Sequence, residues 1–189
     1  MYKLCKTEQS AARQRVLEEG LLNAICTHRY DELSVSDLCI HLGVPRKSFY
    51  RYFSSKEGAL LSLIDHTLMS FEGFYLPSPG ELRTLSRDLS QFFAFWLQHR
   101  TLLDALQKNN LSGLLIQRAI AYALSDTAMP RRFLPGDDPE TQKQVVSFAV
   151  CGLMSMVLNW HQTGFAEPIP KMVESAVRVL SRPLFPAVP

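Results

Sequence analysis

Residues 30–61 read YDELSVSDLCIHLGVPRKSFYRYFSSKEGALL, and this stretch decides the fold. Ser34-Val35-Ser36-Asp37 sets a hydroxyl three residues ahead of an acid, the spacing of a capping box that opens a helix. Leu38, Cys39 and Leu42 give that helix an apolar face. After two turns Gly43 can take the left-handed conformation that stops a helix, and Pro45 suits the first turn of the next. A second short helix is therefore expected from about Pro45 to Tyr52, with Phe49 and Phe53, four apart, turned inward. Ser54-Ser55-Lys56-Glu57 repeats the serine-to-acid spacing and opens a long helix through Ala59, Leu60, Leu63, Ile64, Leu68 and Phe71. Two short helices joined by a tight glycine turn are the layout of a helix-turn-helix, whose second helix can enter the major groove of DNA.

The side chains suit that task. From Val44 to Lys56 the chain carries Arg46, Lys47, Arg51 and Lys56 without an acid, interleaved with Ser48, Tyr50, Tyr52, Ser54 and Ser55. Cations neutralise phosphates or pair with guanine edges, and hydroxyls donate to phosphate oxygens. The candidate DNA contacts are Ser34 and Ser36 at the start of the first short helix and Arg46, Lys47, Ser48, Tyr50 and Arg51 on the second. Tyr52 and Lys56 are assigned to phosphates, Lys56 because it begins a helix whose dipole and free amides also favour an anion.

Working outward, residues 11–28 place Val16, Leu17, Leu21, Ala24 and Ile25 on one side of a first helix, with Glu18, Glu19 and Asn23 away from it. Past the break at Pro77-Ser78-Pro79-Gly80, residues 81–98, 101–108 and 111–125 show helical spacing, with His99-Arg100 and Asn109-Asn110 as punctuation. A loop from Pro130 to Pro139 precedes a long apolar helix at about 140–163, ended by Gly164, and a last helix runs from Pro168 and Pro170 to Pro183. Strand-like alternation and internal repeats are absent from the pattern. The expected fold is all-α, with a helix-turn-helix domain over 1–60 and a helical domain over 61–189, divided inside the fourth helix.

Composition agrees with an ordinary globular chain: 189 residues, 47% hydrophobic and 20% charged, which excludes disordered, collagen-like and disulfide-scaffold classes. The net charge of +2 is unevenly placed, with nine basic against six acidic residues through Lys56 and a net −1 beyond it. Cys5, Cys26, Cys39 and Cys151 lack CxxC spacing and read as buried thiols of a reducing compartment, hence a cytoplasmic protein, with Cys5 the most open to a redox role. No secretory signal opens the sequence. The apolar run 145–158 is shorter than the roughly 20 residues a spanning helix needs, so it reads as a buried helix and no membrane is expected. The five histidines make no i, i+3 or i, i+4 pair with each other or with a cysteine, and no phosphate loop or GxSxG motif occurs. Neither catalysis nor a cofactor is expected.

The stretch resembles the TetR/AcrR-type bacterial transcriptional regulators. Their aromatic, hydroxyl helix start, Gly-Val-Ser turn, apolar-Tyr-x-x-Phe run and Ser-Lys-Glu find counterparts in Tyr30, Ser34, Gly43-Val44-Pro45, Phe49-Tyr50-Arg51-Tyr52-Phe53 and Ser55-Lys56-Glu57. Arg29 stands where the family usually has Gly, Cys39 and Leu42 where small alanines are common, and Pro45 where Ser is usual. The resemblance covers about the first 65 residues and turns the basic cluster from a merely solvated surface into a DNA-reading one. It implies a homodimer on a palindromic double-stranded operator, usually repressing a gene until a small molecule enters the C-terminal domain.

For that domain the sequence offers Phe92, Phe93, Phe95, Trp96, Tyr122, Phe148, Trp160 and His161, among which Trp96, Tyr122 and Phe148 are the candidate ligand-binding wall and the rest ordinary core. The dimer is expected from about residues 140–182. There Ala149, Gly152 and Ser155 form a small-residue strip, and the last helix carries Met172, Val173, Ala176, Val177 and Leu180, so two copies would make a four-helix bundle. Two other readings stay open from the residues: an activator or co-activator of the same architecture working through a protein partner, and a helical small-molecule or redox sensor with an incidental basic face.

Overall fold

The computed structural model describes residues 2, 5, 7–74, 84–125 and 138–181. The Pro77–Gly80 break, most of the Pro130–Pro139 loop and the Pro183 stop lie outside these residues. The described elements are the helices α1 (Glu8–Thr27), α2 (Val35–His41), α3 (Arg46–Tyr52), α4 (Lys56–Phe74), α5 (Leu85–Gln98), α6 (Arg100–Lys108), α7 (Ser112–Ala123), α8 (Pro139–Gln162) and α9 (Ile169–Ser181). Among the described residues no strand forms; Tyr2 and Phe53 share an isolated antiparallel bridge. The fold is all-α, as the periodicity predicts.

Helix starts follow local chemistry. The hydroxyls of Thr7 and Thr84 accept from the amides of Ser10 and Arg87, and the Asp138 carboxylate accepts from the amides of Glu140 and Thr141 beside Pro139 at the head of α8. The start of α4 departs from the expected Ser54 to Glu57 box: the Ser55 hydroxyl accepts from the Gly58 amide at 3.0 Å, one residue further on. Gly43 closes α2 with φ of +63°, a conformation that a side chain would strain.

The chain divides into two compact units, Met1–Leu68 with Thr101–Arg118 and Met69–Arg100 with Ala119–Pro189. This differs from the expected division in chain order at residue 60, because nearly all of α6 and the first half of α7 belong with the N-terminal helices. The buried face of α6 is apolar, with Leu102, Leu103, Ala105 and Leu106, and a polar tie joins α7 to α4. Arg118 pairs with Asp65 through both guanidinium edges, Nε to Oδ1 at 2.6 Å and Nη2 to Oδ2 at 2.5 Å, and Tyr2 donates its hydroxyl to Oδ2 at 2.7 Å. Burial, and then the Asp65 carboxylate, push the Tyr2 phenol up to about 12.

Within the first unit, α1 buries Leu17, Leu21, Ala24 and Ile25 as expected, but two residues at the edge of that face depart from it: Val16 is 61% exposed and Glu18 only 2%. The reason lies on α4: the Glu18 carboxylate accepts from Ser62 Oγ at 2.6 Å and pairs with His66 Nδ1 at 2.9 Å, while Gln14 donates to Ser62 at 2.8 Å. A buried carboxylate is tolerable when its acceptor sites are filled in this way. The chain of contacts ends at Cys5, whose thiol donates to Gln14 Oε1 at 2.7 Å.

The second unit has an aromatic centre. Trp96 packs edge-on against Phe92 and Phe95, Phe95 meets Phe71, and Phe93 meets Trp160, with ring centroids 5.1–6.5 Å apart, the geometry that ring quadrupoles favour. The expectation of a buried α8 is corrected. Its buried residues are Met154, Val157, Trp160 and His161, one stripe at helical spacing, while its opposite side carries Val145, Phe148, Cys151, Gly152 and Ser155 in the open. By length and composition α8 could cross a membrane, although only 22% of its most apolar window is buried within the chain.

Candidate nucleic-acid interface

The first short helix starts where the sequence requires. Ser34 caps α2: its hydroxyl accepts from the Asp37 amide at 3.1 Å, and its own hydroxyl and amide donate to Asp37 Oδ2 at 2.6 and 2.9 Å. These bonds hold the Asp37 carboxyl below its ordinary range. The exposed Ser34 thus has its hydroxyl proton committed to Asp37 and acts first as the cap that orients α2; Ser36 lies half-buried in the first turn.

The apolar residues of α3 and its end anchor it. Phe49 and Phe53 are 0% and 1% exposed and stack at 5.2 Å, which turns the cationic residues outward. Arg46, Lys47, Tyr50 and Arg51 are all exposed and follow one another at i, i+1, i+4 and i+5 on one side of the helix; Ser48 is half-buried at its flank. Arg46 sits over the Tyr50 ring at 5.9 Å. Tyr52 departs from expectation. It is 5% exposed, packed into the unit beside Phe53, so it is a core residue rather than a free phosphate donor.

Lys56 has a second task that its sequence position does not announce. Its ammonium donates to the Tyr30 carbonyl and, at 2.7 Å, to the Leu33 carbonyl, and lies 4.1 Å from the Tyr30 ring centroid. Partial burial lowers the pKa of this ammonium and raises that of the Tyr30 phenol to about 12. Two of the three ammonium donors therefore fix the loop ahead of α2.

Other supports were not legible as functional. Asn109, at the end of α6, accepts from the Tyr30 amide at 2.6 Å and donates to the carbonyls of Ile25 and Ala105, while Lys108 donates to the Cys26 carbonyl at 2.7 Å. An asparagine at a helix end reads locally as a stop signal, so nothing in the sequence points across 79 residues. Leu42, larger than the residue common at its site in the resembled family, is accommodated by Gly20 on α1: a Cβ there would lie 1.7 Å from Leu42 Cδ2. A glycine in mid-helix was the available signal.

The three residues of the candidate ligand wall differ in exposure. Trp96 is buried in the aromatic centre of the second unit and Tyr122 is half-buried on α7. Phe148 is 64% exposed on the outer side of α8, so it belongs to an apolar surface and not to an enclosed wall.

An all-helical chain with a capped α2, a glycine turn and a cationic α3 defines a helix-turn-helix protein. Residues 27–63 match the family model of bacterial regulatory proteins of the tetR family. The HTH-type transcriptional regulator EthR of Mycolicibacterium smegmatis is 33% identical over 145 residues, which span 69% of this chain and 62% of that protein. The chain therefore matches less than two thirds of that relative's length. Two solved structures share the fold. The fatty acid degradation regulator FadR of Bacillus halodurans aligns over 96% of this chain and 98% of its own at 16% identity, with a TM-score of 0.59. FadR of Bacillus subtilis, solved with stearoyl-CoA, aligns over 88% and 96% at 18% identity, with a TM-score of 0.52. The chain thus carries the segment that marks bacterial regulatory proteins of the tetR family and is similar to regulators of that type.

Proposed function

We propose that the chain is a ligand-responsive transcriptional regulator, acting as a repressor, that binds a palindromic DNA operator as a homodimer and is released by a small, largely apolar effector. The observation that carries the reading is the exposed face of Arg46, Lys47, Tyr50 and Arg51 on a helix set by a capped partner and a tight turn. Arg46 and Lys47 read base edges, while Arg51, the α2 start and the remaining donor of Lys56 hold phosphates. Homodimerisation through about residues 140–182 is supported by the apolar outer side of α8, with Val145 and Phe148, and by Val179 and Leu180 on α9, all exposed in the single chain. Two recognition helices about 34 to 36 Å apart match successive turns of one DNA face, so an effector that changes their spacing opposes binding without touching DNA. For the effector's character, the aromatic centre of the second unit and the acyl-CoA seen with one fold relative support an apolar molecule. The test is retention of duplexes drawn from the DNA around the protein's own gene, against an unrelated competitor. Specific retention at about 0.15 M salt is expected, and a folded protein that retains every duplex equally would refute the reading.

A further inference from the structure

Beside α3 an open groove of about 310 Å³ is lined by Arg13, Val16 and Leu17 of α1 and by Val44, Ser48, Arg51 and Tyr52. Its chemistry has a clear polarity. Two exposed guanidiniums stand along an apolar strip with a serine hydroxyl, and no carboxylate is among the lining residues. The two guanidiniums bring like charge to one groove, and Val16 beside them is 61% exposed. The arrangement suits a partner carrying repeated anionic oxygens on a partly apolar frame, the description of a sugar-phosphate backbone: planar guanidiniums take the phosphate oxygens, and the strip takes deoxyribose carbons. Ser48 and Arg51 belong also to the α3 face assigned to DNA, so a duplex lying along α3 passes this groove.

We propose that the groove seats the DNA backbone and that Arg13 makes a phosphate contact from α1, extending the grip on DNA beyond the helix-turn-helix itself. The proposal rests on the DNA-binding reading above and adds to it one residue and one helix. Phosphate contacts have a signature that base contacts and structural roles lack: each one neutralised adds about 0.9 to the slope of log affinity against log salt, on every sequence alike.

The experiment measures the affinity of the full chain for its retained duplex and for an unrelated duplex by fluorescence anisotropy across a tenfold range of salt. Arg13→Gln is compared with wild type, with Arg15→Gln as an exposed-arginine control on the same helix and Lys47→Gln as the base-reading reference. Arg13→Gln is expected to lower the slope by about 0.9, so that its deficit against wild type grows about eightfold as salt falls tenfold, equally on both duplexes. Arg15→Gln keeps the wild-type slope, and Lys47→Gln loses preference between the duplexes. An Arg13→Gln slope and affinity equal to wild type, with specific binding intact, overturns the α1 contact and leaves the DNA reading standing. Absence of specific, salt-dependent binding by wild type instead overturns the DNA reading and this proposal with it. Thermal stabilisation by inorganic phosphate that Arg13→Gln abolishes without changing the slope would make the groove a small-anion site and overturn the backbone assignment.

Discussion

Gly20 has no side chain, and Leu42 occupies the place where one would begin. Two effects oppose each other there. Alanine in a helix interior is favoured over glycine by about 1 kcal/mol, while forcing a methyl against Leu42 costs about 1–3 kcal/mol. Gly20→Ala is therefore expected to destabilise the protein by about 1 kcal/mol, and the same substitution in a Leu42→Ala background to become neutral or stabilising; equilibrium denaturation of the four proteins measures the cycle. Equal effects in both backgrounds would contradict the close approach. Asp37 gives a second expectation, in pH. Its carboxyl is held below its ordinary value by Ser34, so its contribution is complete above the unfolded-state pKa and fades as pH falls through the lowered one. The stability gap between wild type and Ser34→Ala should shrink from about pH 5 to about pH 2; a gap independent of pH would count against the box. At this scale the sequence was readable where the chemistry is local: Ser34 with Asp37, and Phe49 with Phe53. It misled where partners are distant. Glu18 carries the charge of a surface residue, and only Ser62 and His66, brought in by α4, make its burial acceptable.

Elements were legible from spacing and stop signals because each helix of the DNA-reading motif carries its own cap, apolar pair or glycine. The packing of α6 was not, since the tie runs through Asn109, whose local reading is simply the end of a helix. That tie makes a prediction of its own. Asn109→Ala removes the acceptor of the Tyr30 amide and two bonds to carbonyls, leaving a half-buried donor without its partner, and should cost about 1–3 kcal/mol. Hydrogen exchange reads it directly. The Tyr30 amide should lose its protection in the variant, whereas unchanged protection would mean that the loop ahead of α2 is held by Lys56 alone. α8 shows the opposite limit of sequence reading: its apolar run was visible, but a run apolar on many sides looks the same whether the covering partner is the same chain or a second copy.

For the whole molecule, the proposed dimer supplies what the single chain leaves uncovered. Phe148→Arg places a charge in the middle of the exposed side of α8 without touching the buried stripe of Met154, Val157 and Trp160. Sedimentation should find wild type as a dimer and Phe148→Arg shifted to monomer at equal helix content; a dimer that persists would move the interface away from α8. The central claim is that the outward side of α3 reads DNA, and one measurement bears on it most directly: competitive retention of the specific duplex by wild type and by a variant combining Arg46→Ala, Lys47→Ala and Arg51→Ala. All three side chains are exposed, so helix content and thermal unfolding should stay close to wild type. The account predicts that the folded variant loses specific retention at salt concentrations where wild type keeps it. Specific retention undiminished in the variant would contradict it.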